Sequence, residues 1–284
     1  YETSGNINYD AIITMDPETF APFIDDDQTK ELLQRFKFSN NPAVNIHFSG
    51  SGLSDKPSTW HTNGHFRIGQ CRYQNIPLLG ATGAFEINPE GMIFQDFRID
   101  PAEGHFVDGK LAQFLDREEI VILEGIRGRA YPAHIASYFS TQTAEALSRY
   151  HCETAPDLTL EGIIDSSDGG RSRFTSTFQS SAPANFILFE RNLSIIEPEG
   201  TVTISGNLVE LDITGKLFGG QAEYVGSIKM ANEGSSISGH LKAEEINFAP
   251  MASLYGVDDN NTEGTLACEL HFDIPASSPE QWTA

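Results

Sequence analysis

Residues 200–230 read GTVTISGNLVELDITGKLFGGQAEYVGSIKM, and the pattern within them decides what kind of fold the chain makes. Three short strands are expected here, over Thr201–Ser205, Val209–Leu217 and Gln221–Met230, with glycines between them. Apolar residues alternate with polar ones: Val202 and Ile204, then Val209, Leu211 and Ile213, then Ala222 and Tyr224. A period of two puts one set of side chains on an apolar face and the other set in water. Gly206, Gly215 and the Gly219-Gly220 pair fall where a chain must reverse or bulge, conformations that glycine adopts without a Cβ clash. Such a meander has one apolar face and two open edges, so the rest of the chain must cover or extend it.

Outward from this stretch the alternation continues. Strands are expected over Asn6–Ile13, Pro42–Gly50, Gly64–Ile68, Cys71–Leu79, Gly83–Ile87, Met92–Ile99, His105–Phe114, Ile120–Ile126, Pro156–Gly162 and Gly264–Asp273. Asn88-Pro89-Glu90-Gly91 and Asp168-Gly169-Gly170 have turn composition. Helical pieces interrupt the strands. Asp16-Pro17-Glu18 has the form of a helix start, and Phe20, Phe23, Ile24, Leu32, Leu33 and Phe36 make a stripe broken by Asp25-Asp26-Asp27. That predicts two short helices up to Phe38. A further helix is expected from Tyr131-Pro132 to Tyr150, and another over Phe248–Tyr255.

These passages align with one another. The strand after Pro42 matches those after Pro156 and Thr262 in pattern, and Ile135-Ala136-Ser137-Tyr138 matches Met251-Ala252-Ser253-Leu254. A repeat of about 115 residues, many strands followed by a helix, fits the whole chain. The divisions are residues 1–41 (the end of one unit, with a helical segment), 42–155, 156–261 and 262–284 (the start of another). On this reading the chain is a piece of a longer array.

Composition narrows the function. The 284 residues carry a formal charge of −22, so neither a nucleic-acid backbone nor an anionic membrane surface is an expected partner. Hydrophobic content of 39%, with 19 Phe, is enough for a sizeable apolar interior. No apolar run reaches the roughly 20 residues of a membrane span, and no signal peptide opens the sequence. Any export signal or anchor is expected outside this segment. Cys71, Cys152 and Cys268 are far apart and show no metal-ligand spacing, so isolated thiols are expected and no metal or cofactor.

No catalytic constellation emerges. His61 and His65, four apart in a strand, would stand about 13 Å from each other. Asp25-Asp26-Asp27 and Asp258-Asp259-Asn260-Asn261 lack the spaced ligands of a calcium loop. Ser137 and Ser253 have no GxSxG around them, and Gly219-Gly220 has no phosphate-loop partner residues. Adjacent acids such as Glu118-Glu119 and Glu244-Glu245 point to opposite faces of a strand. What remains is the apolar face itself. Either the sheet curls on itself around a filled core, or the face lines a groove that an apolar ligand fills.

The run Ile204-SGNLVELDITGKLFGG-Gln221, with a following strand that reaches Gly226, resembles the repeated segments of the AsmA-like family, the TamB- and YhdP-type bridge-like lipid transfer proteins. Phe97-RIDPAEGHFVDGKLA-Gln113 looks like a degenerate copy, Gly104 standing for one glycine of the pair and Gly109 for Gly226. The resemblance implies a mainly β fold, a long curled antiparallel sheet (an open β-groove or taco) of repeated meanders with short helices between them. It also implies a non-catalytic periplasmic segment of a protein anchored in the inner membrane of a two-membrane bacterium. There it would serve phospholipid transport and outer-membrane integrity, with membrane contact through parts outside the segment.

The expected partner is a phospholipid or other acyl-chain lipid. Its groove would be lined by Val202, Ile204, Val209, Leu211, Ile213 and Tyr224, and in the earlier unit by Phe85, Ile87, Ile93, Phe97 and Ile99. Alternation leaves open which parity faces inward where strands are short. Two other classes stand beside this one. A structural or adhesive β-repeat module would have a closed core and no ligand, and a carbohydrate-active β-solenoid enzyme would need two carboxylates converging at about 5–10 Å.

Overall fold

The computed structural model of the chain describes residues 5–15, 36–38, 44–73, 75–114, 117–137, 148, 151–165, 172–188, 191–229, 235–254, 256–257 and 263–276. The first strands are β1 (Asn6–Met15), β2 (Phe36–Phe38), β3 (Val44–Leu53), β4 (Lys56–Ile68), β5 (Cys71–Tyr73), β6 (Ile76–Leu78) and β7 (Gly80–Asn88). Next come β8 (Gly91–Asp100), β9 (Phe106–Phe114), β10 (Arg117–Arg129), helix α1 (Pro132–Ser137), β11 (His151–Cys152), β12 (Asp157–Asp165) and β13 (Arg173–Gln179). The chain continues through β14 (Ala184–Leu188), β15 (Arg191–Ser205), β16 (Leu208–Leu217), β17 (Gly220–Lys229), β18 (Ser235–Asn247), helix α2 (Phe248–Leu254) and β19 (Thr265–Ala276).

The fold is mainly β, as the alternation predicts. Fourteen strands run side by side in the order β1-β3-β4-β7-β8-β9-β10-β12-β13-β15-β16-β17-β18-β19, and β14 with β11 branches from β15 to complete a sixteen-stranded antiparallel sheet. β1 and β19 are the two ends of this path and do not pair with each other, so the sheet is open. At about 4.8 Å per strand its path is about 60 Å across. A separate three-stranded sheet, β2-β5-β6, lies apart from it.

The two margins of the large sheet differ. At one margin strands reverse tightly: through Ser54-Asp55, through Pro89-Glu90, and through Gly206-Asn207. Asn88 Oδ1 accepts hydrogen bonds from the backbone N–H of Glu90 and Gly91, which fixes the second of these turns. At the other margin the chain makes its excursions: the β5–β6 hairpin, α1, β14 and α2. The tight exception there is Phe218-Gly219, both with positive φ (48° and 84°) between the paired Leu217 and Gly220. Two central residues of that kind are the requirement of a hairpin turn whose twist matches its strands.

Element order repeats. β3, β4, β7, β8, β9 and β10 are followed by α1, and β12, β13, β15, β16, β17 and β18 by α2. In each set the excursion follows the second strand, β5–β6 in one and β14 in the other. A short strand ahead of the first then pairs onto that excursion, β2 onto β5 and β11 onto β14. The two sixth strands even share a bulge, between Leu123 and Ile126 in β10 and between Ala243 and Ile246 in β18.

Several expectations change. Phe36 lies in strand β2, not in a helix, because its pairing with Tyr73 supersedes the local helical spacing. Residues 16–35, the rest of that expected helical segment, are outside the described residues. The helix expected up to Tyr150 is described only over Pro132–Ser137. Asp168-Gly169-Gly170 also falls outside. Cys71–Leu79 is not one strand but a hairpin that turns at Asn75, whose φ is 71°. β13, with only Phe174 and Phe178 among Ser and Thr, is too sparsely apolar to stand out in sequence.

The tightest packing sits mid-sheet, where Phe97, Val107, Leu123, Ile126 and Ala130 are buried and Ile135 of α1 packs against them. A fully buried aliphatic side chain contributes about 1.5–3 kcal/mol. Ile126 is 4% exposed, whereas Leu211 in β16 is half-buried. Ile126→Ala should therefore lower stability by about 2–5 kcal/mol in denaturant unfolding, and Leu211→Ala by clearly less.

Candidate functional site

In an antiparallel pair, directly opposed residues project to the same face, so the registers trace that face strand by strand. One row runs Ala11, Phe48, Gly64, Phe85, Phe94, Leu111, Leu123, Gly162, Phe174, Ile204, Val209, Ile228 and Ile237, crossing from β1 to β18 through directly opposed pairs. Every member is apolar or glycine. Leu270 and Phe272 of β19 carry the face on opposite Leu241 and Gly239.

Ten of the eleven residues expected to line a groove share this face. Val202 opposes Leu211, Ile204 opposes Val209, and Ile213 opposes Tyr224. Phe85 opposes Phe94, Ile87 opposes Met92, Ile99 opposes Ala81, and Phe97 opposes Gly109. The exception is Ile93. It opposes Glu86 and Ala112 and stands on the other face, in a short apolar run with Ile122 and Ile163. The reason is a bulge between Phe94 and Phe97, with Asp96 at φ 48°. The extra residue lets Phe94 and Phe97, three apart, face the same way and reverses the parity on which Ile93 was assigned.

Aromatic rings cover glycines on this face. A Cβ on Gly226 would meet the Tyr224 ring at 2.5 Å, and one on Gly64 the Phe85 ring at 2.5 Å. Gly83 lies under Phe66, Gly52 under Trp60, and Gly239 under both Tyr224 and Phe272, whose rings stack. Each ring covers backbone that glycine leaves bare, so aromatic and glycine form one packing unit. Along the flanks the large side chains stay partly open: Trp60 is 37% exposed and Leu270 52%. Polar atoms on the face are tied down, as Thr62 is by the Tyr9 hydroxyl and Ser176 by the Thr159 carbonyl.

The opposite face is polar. One row runs Arg98, Asp108, Arg127, Thr159, Thr177, Thr201, Asp212, Val225, His240 and His271, and from Arg98 it continues to Thr82, Arg67, Asn45 and Thr14. Cross-strand pairs bind along it, including Arg127 Nε to Asp108 Oδ1 at 2.8 Å and Thr159 to Thr177 at 2.6 Å. A broad surface depression bounded by Arg127, Thr159, Thr177 and Asp212 lies on this face. Ile12 at 68% and Val225 at 44% exposure are isolated apolar residues among the polar ones, and Ile163, 38% exposed, ends the short run with Ile122 and Ile93.

No family model, no curated protein and no solved structure matches the chain. Among the described residues no helix is long and apolar enough to cross a membrane. Chemically, then, the two faces offer different things. One is a continuous hydrocarbon and aromatic surface, suited to contact by exclusion of water; the other is an array of paired charges and hydroxyls.

Arg129 donates two hydrogen bonds to Asp157, at 2.8 and 3.0 Å, joining β10 to β12 across the boundary between the repeated sets. The guanidinium holds the Asp157 carboxyl below its ordinary range. The lowered folded-state pKa means that the pair's stabilisation is present above the ordinary Asp range and is lost as pH falls through the depressed value. An NMR pH titration should show Asp157 titrating low, and Arg129→Ala should return it toward the ordinary range.

Proposed function

We propose that this chain is a non-catalytic periplasmic segment of an AsmA-like bridge protein whose apolar sheet face holds lipid acyl chains. Headgroups remain in water beyond the margins of the sheet. The protein serves phospholipid transport between inner and outer membrane. The family, the compartment and the lipid follow from the resemblance of residues 204–221 and 97–113; the apolar row is independent support.

The observation that carries the reading is that row, unbroken across thirteen strands. The largest apolar patch on an ordinary soluble monomer covers about 300–600 Å². A face running about 58 Å across its strands, with half-buried rather than buried side chains along its flanks, is longer than packing alone requires. Each methylene withdrawn fully from water contributes about 0.8 kcal/mol, so a long chain lying along the row gains affinity in small equal steps. An open sheet suits such a ligand better than the closed core of a structural or adhesive module, which would leave no face free.

Native mass spectrometry of the purified protein, with lipid extraction from the same sample, tests the proposal. Bound phospholipid is expected, and it should be lost in the Ile204→Asp, Leu211→Asp double variant while the fold is retained. Ile12→Asp, on the polar face, should keep its lipid. A stable protein that never carries lipid would return the chain to the structural-module class.

A further inference from the structure

Near one edge of the sheet three potential metal ligands meet on the polar face. Glu269 and His271 are two apart on β19, so both project to the same side. His240 of β18 stands directly opposite His271. Glu269 Oε1 lies 2.9 Å from His240 Nε2 and 3.3 Å from His271 Nε2. One ligand atom from each residue fits within a span of 4.8 Å.

We propose that His240, Glu269 and His271 bind a divalent transition-metal ion of borderline softness, with Zn²⁺ as the reference case, and that the ion clasps β19 to β18. Bonds of about 2.0–2.2 Å from zinc to imidazole nitrogen and carboxylate oxygen put tetrahedral ligand atoms about 3.3–3.6 Å apart. The two separations from Glu269 Oε1 are already close to that, and the two imidazole nitrogens lie within 4.8 Å of each other. Two nitrogens and one carboxylate oxygen suit zinc or copper, whereas calcium and magnesium prefer all-oxygen shells. Water would complete the coordination.

Two features of the cluster favour an ion over a plain hydrogen-bonded group. Two imidazoles compete for one carboxylate oxygen. His240 Nε2, although shielded from water, is not aligned for a hydrogen bond with any partner. In the metal-free arrangement the rings stack in parallel, 4.2 Å between centroids and 1° between planes. Parallel rings direct their Nε2 lone pairs along separate planes, so the rings must turn about their side-chain bonds to meet on one ion. Side-chain exposures of 37% and 71% leave room for that.

The groups around the cluster do not block it. Val225 of β17 stands opposite His240, and Lys242, opposite Glu269, is held away by Glu244 at 2.7 Å. A second opposed pair, His47 and His65 on β3 and β4, makes a useful contrast. There His47 Nε2 is already bonded to Asp10 at 2.8 Å, and no comparable cluster forms among the described residues.

The test is a zinc titration of the whole chain after chelator treatment, by calorimetry with chelator competition, using zinc chloride alone. One ion per chain should bind, and His240→Ala or His271→Ala should each weaken it at least about tenfold. His65→Ala should leave binding unchanged. Hydrogen exchange in β18 and β19 should slow on adding zinc to the unaltered chain and not in the variants. Glu269→Gln, nearly isosteric, decides the matter if a histidine variant fails to fold, which circular dichroism reports. Absence of a one-to-one site, or a site indifferent to these substitutions, would overturn the proposal and leave only diffuse attraction to an acidic protein. Because the cluster is on the polar face, the lipid experiment can fail without touching this result, and the reverse holds.

Discussion

A sheet of fourteen strands in one path keeps a single apolar face only if side-chain parity survives every irregularity between its first strand and its last. Side chains alternate with a period of two, so a single extra residue would turn the remainder of a strand inside out. Among the described residues four strands carry an extra residue of positive φ within or beside their ladders, at Asp96, Gly125, Glu197 and Glu245. In each case the side chains that must remain on the face are spaced three apart across the bulge: Phe94 and Phe97, Leu123 and Ile126, Ile195 and Pro198, Ala243 and Ile246. The residues between them, largely acids and a glycine, take up the slip. The continuity of the face, the mid-sheet core and the polar rows behind it all depend on this compensation.

That dependence also explains what could be read from the chain beforehand. The meander from Thr201 to Lys229 was legible because its alternation is clean and its turns are marked by Gly206 and Gly219. The repeat was legible because helix-forming stretches recur after similar runs of strands. Ile93 was misplaced because the bulge at Gln95-Asp96 looks, in sequence, like an ordinary continuation of the alternation. The signal that could have exposed it is the pair of aromatics three apart around two polar residues. Phe36 was misplaced because its strand is made by a partner, Tyr73, that local spacing cannot see. The histidine cluster was illegible for the same reason: Glu269 and His271 are near neighbours in sequence, but His240 joins them only through the register of β18 on β19.

The two faces solve different problems with the same backbone. On the apolar side, rings over Gly64, Gly226 and Gly239 occupy the space that a Cβ would fill and cover the backbone beneath. On the polar side, opposed charges and hydroxyls tie neighbouring strands in sequence, with Arg98, Asp108 and Arg127 alternating in sign along one row. Surface pairs of this kind contribute little individually. Their arrangement matters more for register, since a slip of one strand would set like charges side by side and move apolar residues into water.

The regular placing of the helices makes the sheet a ruler. Six strands of the main path lie between one helix-bearing connection and the next, and at about 4.8 Å each they measure about 29 Å. Any lengthening by whole units therefore comes in increments of that size, and because six is even each unit starts with a strand running in the same direction as the first strand of the unit before. Distance along such a body is counted in units, and a change of reach requires gaining or losing a whole one.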